Sequence, residues 1–441
     1  MSRTAIRPAA LRVPDANLDI HRFTLGNGLR VVLSPDRSAP VVGVCVVYDV
    51  GFRSEPEGRT GFAHLFEHLM FQGSENVGKM EHARLVEGAG GVMNGSTHPD
   101  FTNYYEALPS GALELALWLE ADRMRAPRLT QENLDNQISV VQEEIRVNVL
   151  NQPYGGFPWI KLPPVAFDTF ANAHNGYGDF AELESATLVD ARDFFSRYYA
   201  PGNAVLAIAG DLDVAATTEM VERLFGGIKA RKVPKLPSFA EPIPTKERRG
   251  VSYDALAPQP ALAVGWRVPD PIHQLDDYLA SVLLAELLTD GDASRLQQRL
   301  VLNDRIVTGV SGYLGAFGDP FEVRDPVLLT LEVHHPGSTK ADKVLDVVQQ
   351  ELMRIETDGI DADELQRVQA RIAAQLLRGT DSLVGRTNHL AVIESQRGQA
   401  ELVGRLPSML ANIEADAVVA AAARCTETSR SVLEVRPGKA A

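Results

Sequence analysis

GFRSEPEGRTGFAHLFEHLMFQGSEN, Gly51 to Asn76, decides how the rest of the chain is read. Its centre, HLFEHLMF (His64–Phe71), sets two histidines four residues apart, with a glutamate between them, in an otherwise apolar run. On a helix, residues three and four apart are neighbours on one face. A helix over 61–72 therefore brings His64, Glu67 and His68 together. Two imidazoles so placed can bind one zinc ion, and the glutamate can take a proton from water held there. The order H-x-x-E-H reverses the commoner H-E-x-x-H, and both belong to zinc peptidases. The competing reading is a helix whose histidines are satisfied in the core or at the surface. Catalytic zinc takes three protein ligands, so the choice turns on a third.

The best candidate lies in ISVVQEEIRVN (Ile138–Asn148). Ile138, Val141 and Ile145 form a helical apolar stripe. At 100° per residue Glu144 falls on the edge of that stripe, while Glu143 faces away. A carboxylate beside a buried stripe can reach an interior metal, so Glu144 is favoured. Gln137 lies two turns earlier on the same face. It is either a hydrogen-bond partner of a ligand or a helix-surface glutamine.

The whole chain sets bounds on function. It has 441 residues and a formal net charge of −15, from 43 basic and 58 acidic side chains. That balance argues against nucleic acid as a partner, because phosphate binding needs clustered Lys and Arg. Cys45 and Cys425 read as two reduced, packed thiols. The N-terminus, MSRTAIRPAALRVPDANL, lacks the apolar core of a signal peptide. No run approaches the roughly 20 apolar residues of a membrane span. The chain thus reads as soluble and cytoplasmic, or periplasmic if a leader preceded it. EGAGGVMNG is Gly-rich but lacks the Lys-Ser/Thr of a phosphate loop. His334 and His335 are adjacent on an expected strand and face opposite sides. His82, His98, His174, His273 and His389 have no partner at ligand spacing and read as structural or surface residues.

Outward from the motif, Asn27-Gly28 marks a tight hairpin turn before an apolar strand. VVGVCVVYDVG (Val41–Gly51) is a second strand, and Ala89–Leu108 gives two more around Pro99. Helices are expected at 80–88, 110–125, 130–149 and 188–199. Lys229–Gly250, with four prolines, is the best linker. Beyond it the signals repeat: strands at 261–269, 306–316 and 326–334, and helices at 273–288, through SRLQQRLV, at 339–357 and at 361–379. The expected fold is α+β, with two homologous domains, 1–234 and 235–441. Each is a mostly antiparallel sheet packed with helices, and only the first carries a metal site.

These motifs together resemble the pitrilysin/insulinase family of inverted-motif zinc peptidases. That family places its third ligand, a glutamate, in a stretch like VVQEEIR about 75 residues after the motif; Glu144 stands at that position. GGVMNGSTHPDFTNYY resembles its strand pair, with Asn94-Gly95-Ser96-Thr97 in place of Asn-Ala-x-Thr. FFSRYYAPGNAVLAIAGDLD resembles the end of its first domain. The resemblance is close over residues 20–230 and looser beyond. It implies one zinc ion on His64, His68 and Glu144, with Glu67 as the general base of peptide hydrolysis. It also implies that a peptide or unfolded segment adds as a strand along Asn94, Gly95, Ser96 and Thr97.

One expected feature is missing. Active members carry an Arg and a Tyr, seven apart, after a stretch like SRLFQEVREKRGLAYSV, which help to stabilise the developing oxyanion. Here SRLQQRLVLNDRIVTGV puts Val301 and Thr308 at those positions. Arg299 or Arg305, with Tyr313, fits only in a shifted register. Some family members are built from two homologous subunits, of which one carries zinc. The resemblance therefore implies a zinc-bearing subunit, akin to the beta chain of mitochondrial processing peptidase, whose non-zinc partner supplies the pair. The alternative is a non-catalytic structural or assembly subunit, but such chains have usually lost part of the zinc motif.

Overall fold

The computed structural model describes residues 12–315 and 317–439. Most of the N-terminal stretch that reads as lacking a signal peptide lies outside them.

The first half runs β1 (His21–Thr24), β2 (Arg30–Pro35), β3 (Val41–Tyr48), α1 (Phe62–Leu69), α2 (Glu81–Gly88), β4 (Val92–Thr97), β5 (Thr102–Pro109), α3 (Leu113–Arg125) and α4 (Gln131–Ile145). Three short helices follow, α5 (Pro163–Ala166), α6 (Phe170–Ala173) and α7 (Phe180–Glu184). Then come α8 (Leu188–Tyr198), β6 (Ala204–Gly210) and α9 (Val214–Phe225). Residues 229–247 hold no helix or strand. The second half runs β7 (Arg248–Asp254), β8 (Ala261–Arg267), α10 (Leu275–Thr289), β9 (Gly309–Leu314), β10 (Leu328–His334), α11 (Ala341–Asp358), α12 (Ala362–Asp381), α13 (Leu383–Arg397), α14 (Leu402–Ala411), α15 (Ala415–Arg424) and β11 (Arg430–Pro437).

The strands form two sheets, in the orders β1-β2-β6-β3-β5-β4 and β7-β11-β8-β10-β9. Leaving out β1, the orders superimpose, with β7 standing for β2, β11 for β6, β8 for β3, β10 for β5 and β9 for β4. Pairing senses agree too. β2 with β6 and β7 with β11 are parallel, and the other pairs are antiparallel. The expected α+β architecture of two like halves is what the chain adopts.

Alternation along the first sheet sorts side chains onto two faces. Val31, Leu33, Val44, Val46, Leu206 and Ile208 join the core beneath α1, α3 and α4. Val32, Cys45, Val47, Val205 and Ala207 join the core of the second half. What covers that second face is α13, which crosses β3 and β6. Gly43 makes the crossing possible, since a Cβ there would lie 2.5 Å from Thr387 Oγ1. The Cys45 thiol donates to Asn388 Oδ1 at 3.0 Å, and Asn103 Nδ2 donates to the same oxygen at 3.1 Å. In return α5, from the first half, packs on β7 and β11. Both cysteines are free and buried.

Two helices differ from expectation. α4 stops at Ile145 and passes into a π-helical turn, Arg146–Leu150, and SRLQQRLV is largely π-helical over Gln297–Asn303. Among the described residues no single helix is long and apolar enough to cross a membrane. α14 and α15 reach that length and composition only as a pair bent by 93°, and they bury Leu406, Leu410, Val418 and Ala421 in the core.

Candidate metal centre

α1 presents the motif because its start is pinned from outside the helix. Gly61 begins it at φ +77°, where a Cβ would lie 2.4 Å from the Tyr177 carbonyl oxygen. The buried Glu55 carboxylate accepts from Gly61 N at 3.0 Å and from Ala63 N at 2.7 Å. It thereby satisfies helix N-terminal amides that otherwise lack partners. His174 Nε2 stands 3.1 Å from the same carboxylate. Leu65, Phe66 and Leu69 anchor one side of α1 in the core. The opposite side offers His64, Glu67 and His68 to a cleft.

Glu144 meets them from α4. Its Oε2 lies 3.4 Å from His68 Nε2 and 3.8 Å from His64 Nε2. Ligands about 2.0–2.2 Å from a tetrahedral zinc stand about 3.3–3.6 Å apart, so this spacing suits one ion with little movement. His64 Nδ1 is buried without a hydrogen-bond partner. The donor set, two imidazoles and a carboxylate beside an open cleft, fits a catalytic zinc. Glu143 instead points outward and pairs with Arg146 at 3.2 Å.

Two of the three candidate ligands, His68 and Glu144, have a neighbour that orients them. Gln137 Oε1 is 3.3 Å from His68 Nδ1, and its amide is fixed by Asn136 Oδ1. Tyr177 donates to Glu144 Oε1 at 3.1 Å. Glu67 is only 7% exposed and accepts from the Thr97 hydroxyl at 2.9 Å. Burial pushes the Glu67 carboxyl up against the pull of His68 and Thr97. Burial also pulls His64 down to about 4, with His68 adding to it. In His68 burial is outweighed by Glu144 and Glu67, and the net shift is upward. The hydrogen bond from His68 leads the causes that hold Glu144 low.

β4 is the edge strand of its sheet and forms one wall of a cleft of about 520 Å³. Asn94, Gly95, Ser96 and Thr97 all line it. Their side chains are partly committed: Asn94 Oδ1 accepts from Gly95 N, Ser96 donates to Asn103 Oδ1, and Thr97 holds Glu67. What β4 leaves free is main chain. Besides Gly176, the side chains of Phe52, His98, Trp159, Tyr177 and Phe317 complete the lining. Sequence reasoning did not find these five. Only His98 and Tyr177 carried a chemical signal, and neither stands at ligand spacing from the motif.

No Arg or Lys lines the cleft among the described residues. Val301 packs on the second-half core, and Thr308 donates to His334 O at 3.0 Å. Arg299 pairs with Asp304 at 2.8 Å, and Tyr313 faces a neighbouring cavity. None of these side chains reaches the cluster.

Comparison with known proteins agrees with this architecture. A family model described as Insulinase (Peptidase family M16) matches residues 30–154, and another described as Peptidase M16 inactive domain matches 185–372. The zinc protease PqqE of Helicobacter pylori is 28% identical over 362 residues, covering 81% of this chain and 80% of that one. The uncharacterized zinc protease YmxG of Bacillus subtilis is 25% identical, over 82% and 85% of the two chains. A solved protease from Helicobacter pylori shares the fold, with a TM-score of 0.87 at 24% identity over 95% of this chain and 100% of that one. The periplasmic protease PqqL of Escherichia coli also shares it, with a TM-score of 0.75 at 17% identity over 98% of this chain but 48% of that one. The class is thus a peptidase-type chain with a motif-bearing first half and a second half of the inactive-domain type. The chain belongs to the insulinase family of peptidases, M16.

Proposed function

We propose that this chain is the zinc-bearing subunit of an endopeptidase that cuts peptides or unfolded segments. One observation carries the reading: His64, His68 and Glu144 converge at 3.4–3.8 Å on the side of a cleft that also holds the buried Glu67. One zinc ion held by these three would act as a Lewis acid on the scissile carbonyl and lower the pKa of water.

Glu67 takes the proton from the attacking water and passes it to the leaving amine. Its upward-shifted carboxyl suits that work near neutral pH. Thr97 holds Glu67 in place, Gln137 fixes the tautomer and orientation of His68, and Tyr177 steadies Glu144. An extended substrate adds to the free edge of β4 through main-chain hydrogen bonds, so affinity tolerates many sequences. Phe52, Trp159 and Phe317 shield the reacting bond from bulk water.

Among the described residues no Lys or Arg lines the cleft to meet the developing oxyanion. A homologous, non-zinc subunit carrying the Arg/Tyr pair fills that gap in our reading. The fold match to 48% of the longer PqqL chain supports a two-unit enzyme. Division of this chain at 234/235 belongs to the same proposal, since each sheet lies wholly on one side of it. The two free thiols favour the cytoplasm as compartment, with the periplasm as the rival.

Metal analysis of wild type and E67Q tests the core of this reading. Both should hold zinc on His64 and His68, and E67Q should lose peptide turnover by about 10²–10⁴-fold. Full activity in E67Q would overturn the mechanism, and zinc retained at that site by H64A/H68A would overturn the ligand set.

A further inference from the structure

Among the described residues two other groups of side chains that could hold a metal ion lie away from α1: His82 with Glu106 and Glu120, and Asp319 with Glu322 and His389. Charge separates them. In the first, the Arg123 guanidinium already sits on Glu120. The two carboxylates and Arg123 leave one negative charge, which a single proton on Glu106 cancels. A divalent ion there would leave the buried cluster positive.

The second group has no such cation. Among the described residues no Lys or Arg ion-pairs with Asp319 or Glu322. Arg397 acts on Asp319 only through space. His389 Nε2 is 3.4 Å from Asp319 Oδ2, and His98 Nδ1 is 3.4 Å from Glu322 Oε2. The ligand atoms of Asp319, Glu322 and His389 lie within 4.8 Å of one another. The His389–Asp319 separation equals the 3.4 Å between His68 and Glu144 at the α1 site. Two of the groups are held by their other atom, which aims the free one inward: Asp319 Oδ1 accepts from Phe321 N at 2.7 Å, and His98 Nε2 contacts Ser96 Oγ at 3.0 Å. The Glu322 carboxylate is 18% exposed. Burial and the Asp319 charge push it up to about 7, against the pull of His389.

We propose that Asp319, Glu322 and His389, with His98 as fourth donor, form a second site for a divalent transition cation of the zinc class. Two imidazoles and two carboxylates suit such an ion, and two carboxylates cancel its charge. The ion would join three separate segments: the β4–β5 turn, the loop between β9 and β10, and α13. Two cleft-lining residues belong to that joint. His98 stacks on Phe101 at 4.2 Å and meets Phe317 edge-on at 5.6 Å. The bound ion would thus fix one wall of the cleft without touching the reacting bond.

The test is a metal count on folded, full-length chain. The protein is stripped with chelator, reloaded with Zn²⁺ or Co²⁺, freed of loose ion and assayed by mass spectrometry. Wild type should hold about two ions per chain and H64A/H68A about one, and E322Q/H389Q should lower either count by about one. A count near zero in folded H64A/H68A overturns the second site, leaving two plain ion pairs. So does a count that E322Q/H389Q leaves unchanged. Should H64A/H68A not fold, the fall from two to one between wild type and E322Q/H389Q carries the test, with circular dichroism as the check on folding. The two readings fail separately. An ion lost with E322Q/H389Q but unaffected by H64A/H68A overturns the α1 site and supports this one.

Discussion

α1 and α10 occupy equivalent places, each following the central strand of its sheet, yet they differ in what they bury. α10 is apolar nearly all round, with Tyr278, Leu279, Leu283, Leu284 and Leu287 among its buried side chains. α1 buries Leu65, Phe66 and Leu69 on one side and carries two imidazoles and a carboxylate on the other. Burying polar groups costs free energy unless they are partnered. In the first half Glu144, Gln137 and Thr97 are those partners. In the second half the space is filled by hydrocarbon. One scaffold therefore supports either a site or a core, and the partners from α4 and β4 decide which.

The sharpest way to break that comparison is a charge in α10. L283E buries a carboxylate with no partner and should cost about 3–5 kcal/mol in denaturant melts. Unchanged stability would mean that α10 tolerates polarity as α1 does. The joint between the halves is the next target. G43V drives a side chain into Thr387 and should cost about 1–3 kcal/mol, with T387A recovering part of it. If G43V is neutral, α13 does not press on β3 at Gly43. On the α1 side, Q137A removes the partner of His68 and should weaken zinc binding by about 10–100-fold in chelator competition.

A dependence on pH concerns Glu106, on β5 opposite Met93. Burial raises its carboxyl to about 8 from an ordinary value of 4.5, against the pull of Arg123. Between those values the folded chain holds a proton that the unfolded chain has released. Its contribution to stability therefore falls as pH rises through that window. E106Q should match wild type near pH 4 and melt higher than wild type near pH 8. A wild-type advantage at pH 8 would mean that Glu106 is ionised there and partnered.

Much of the fold and of the α1 site is legible in the amino-acid sequence. The Asn27-Gly28 turn, with Gly28 at φ +93°, joins β1 and β2 as its type demands. The stripe of Ile138, Val141 and Ile145 is buried, and it turns Glu144 rather than Glu143 toward the histidines. Such features are local, fixed by helical or strand periodicity. Glu55 as the anchor of α1, Tyr177 behind Glu144, and α13 reaching across to the first sheet are not legible there. Each depends on contacts between distant segments that no period encodes. His98 and His389 show the same limit. They are far apart in sequence, and only the fold brings them to the same pair of carboxylates.

The central claim is that the α1 site is complete for metal but not for turnover. The direct test is the peptidase rate of the zinc-loaded chain, alone and mixed with a homologous subunit that carries the Arg/Tyr pair and lacks H-x-x-E-H. The account predicts little or no cleavage by the chain alone, and a rise of about 10²-fold or more on mixing, as expected when an oxyanion-stabilising donor is supplied. Full cleavage by the chain alone, unchanged by the partner, would contradict it.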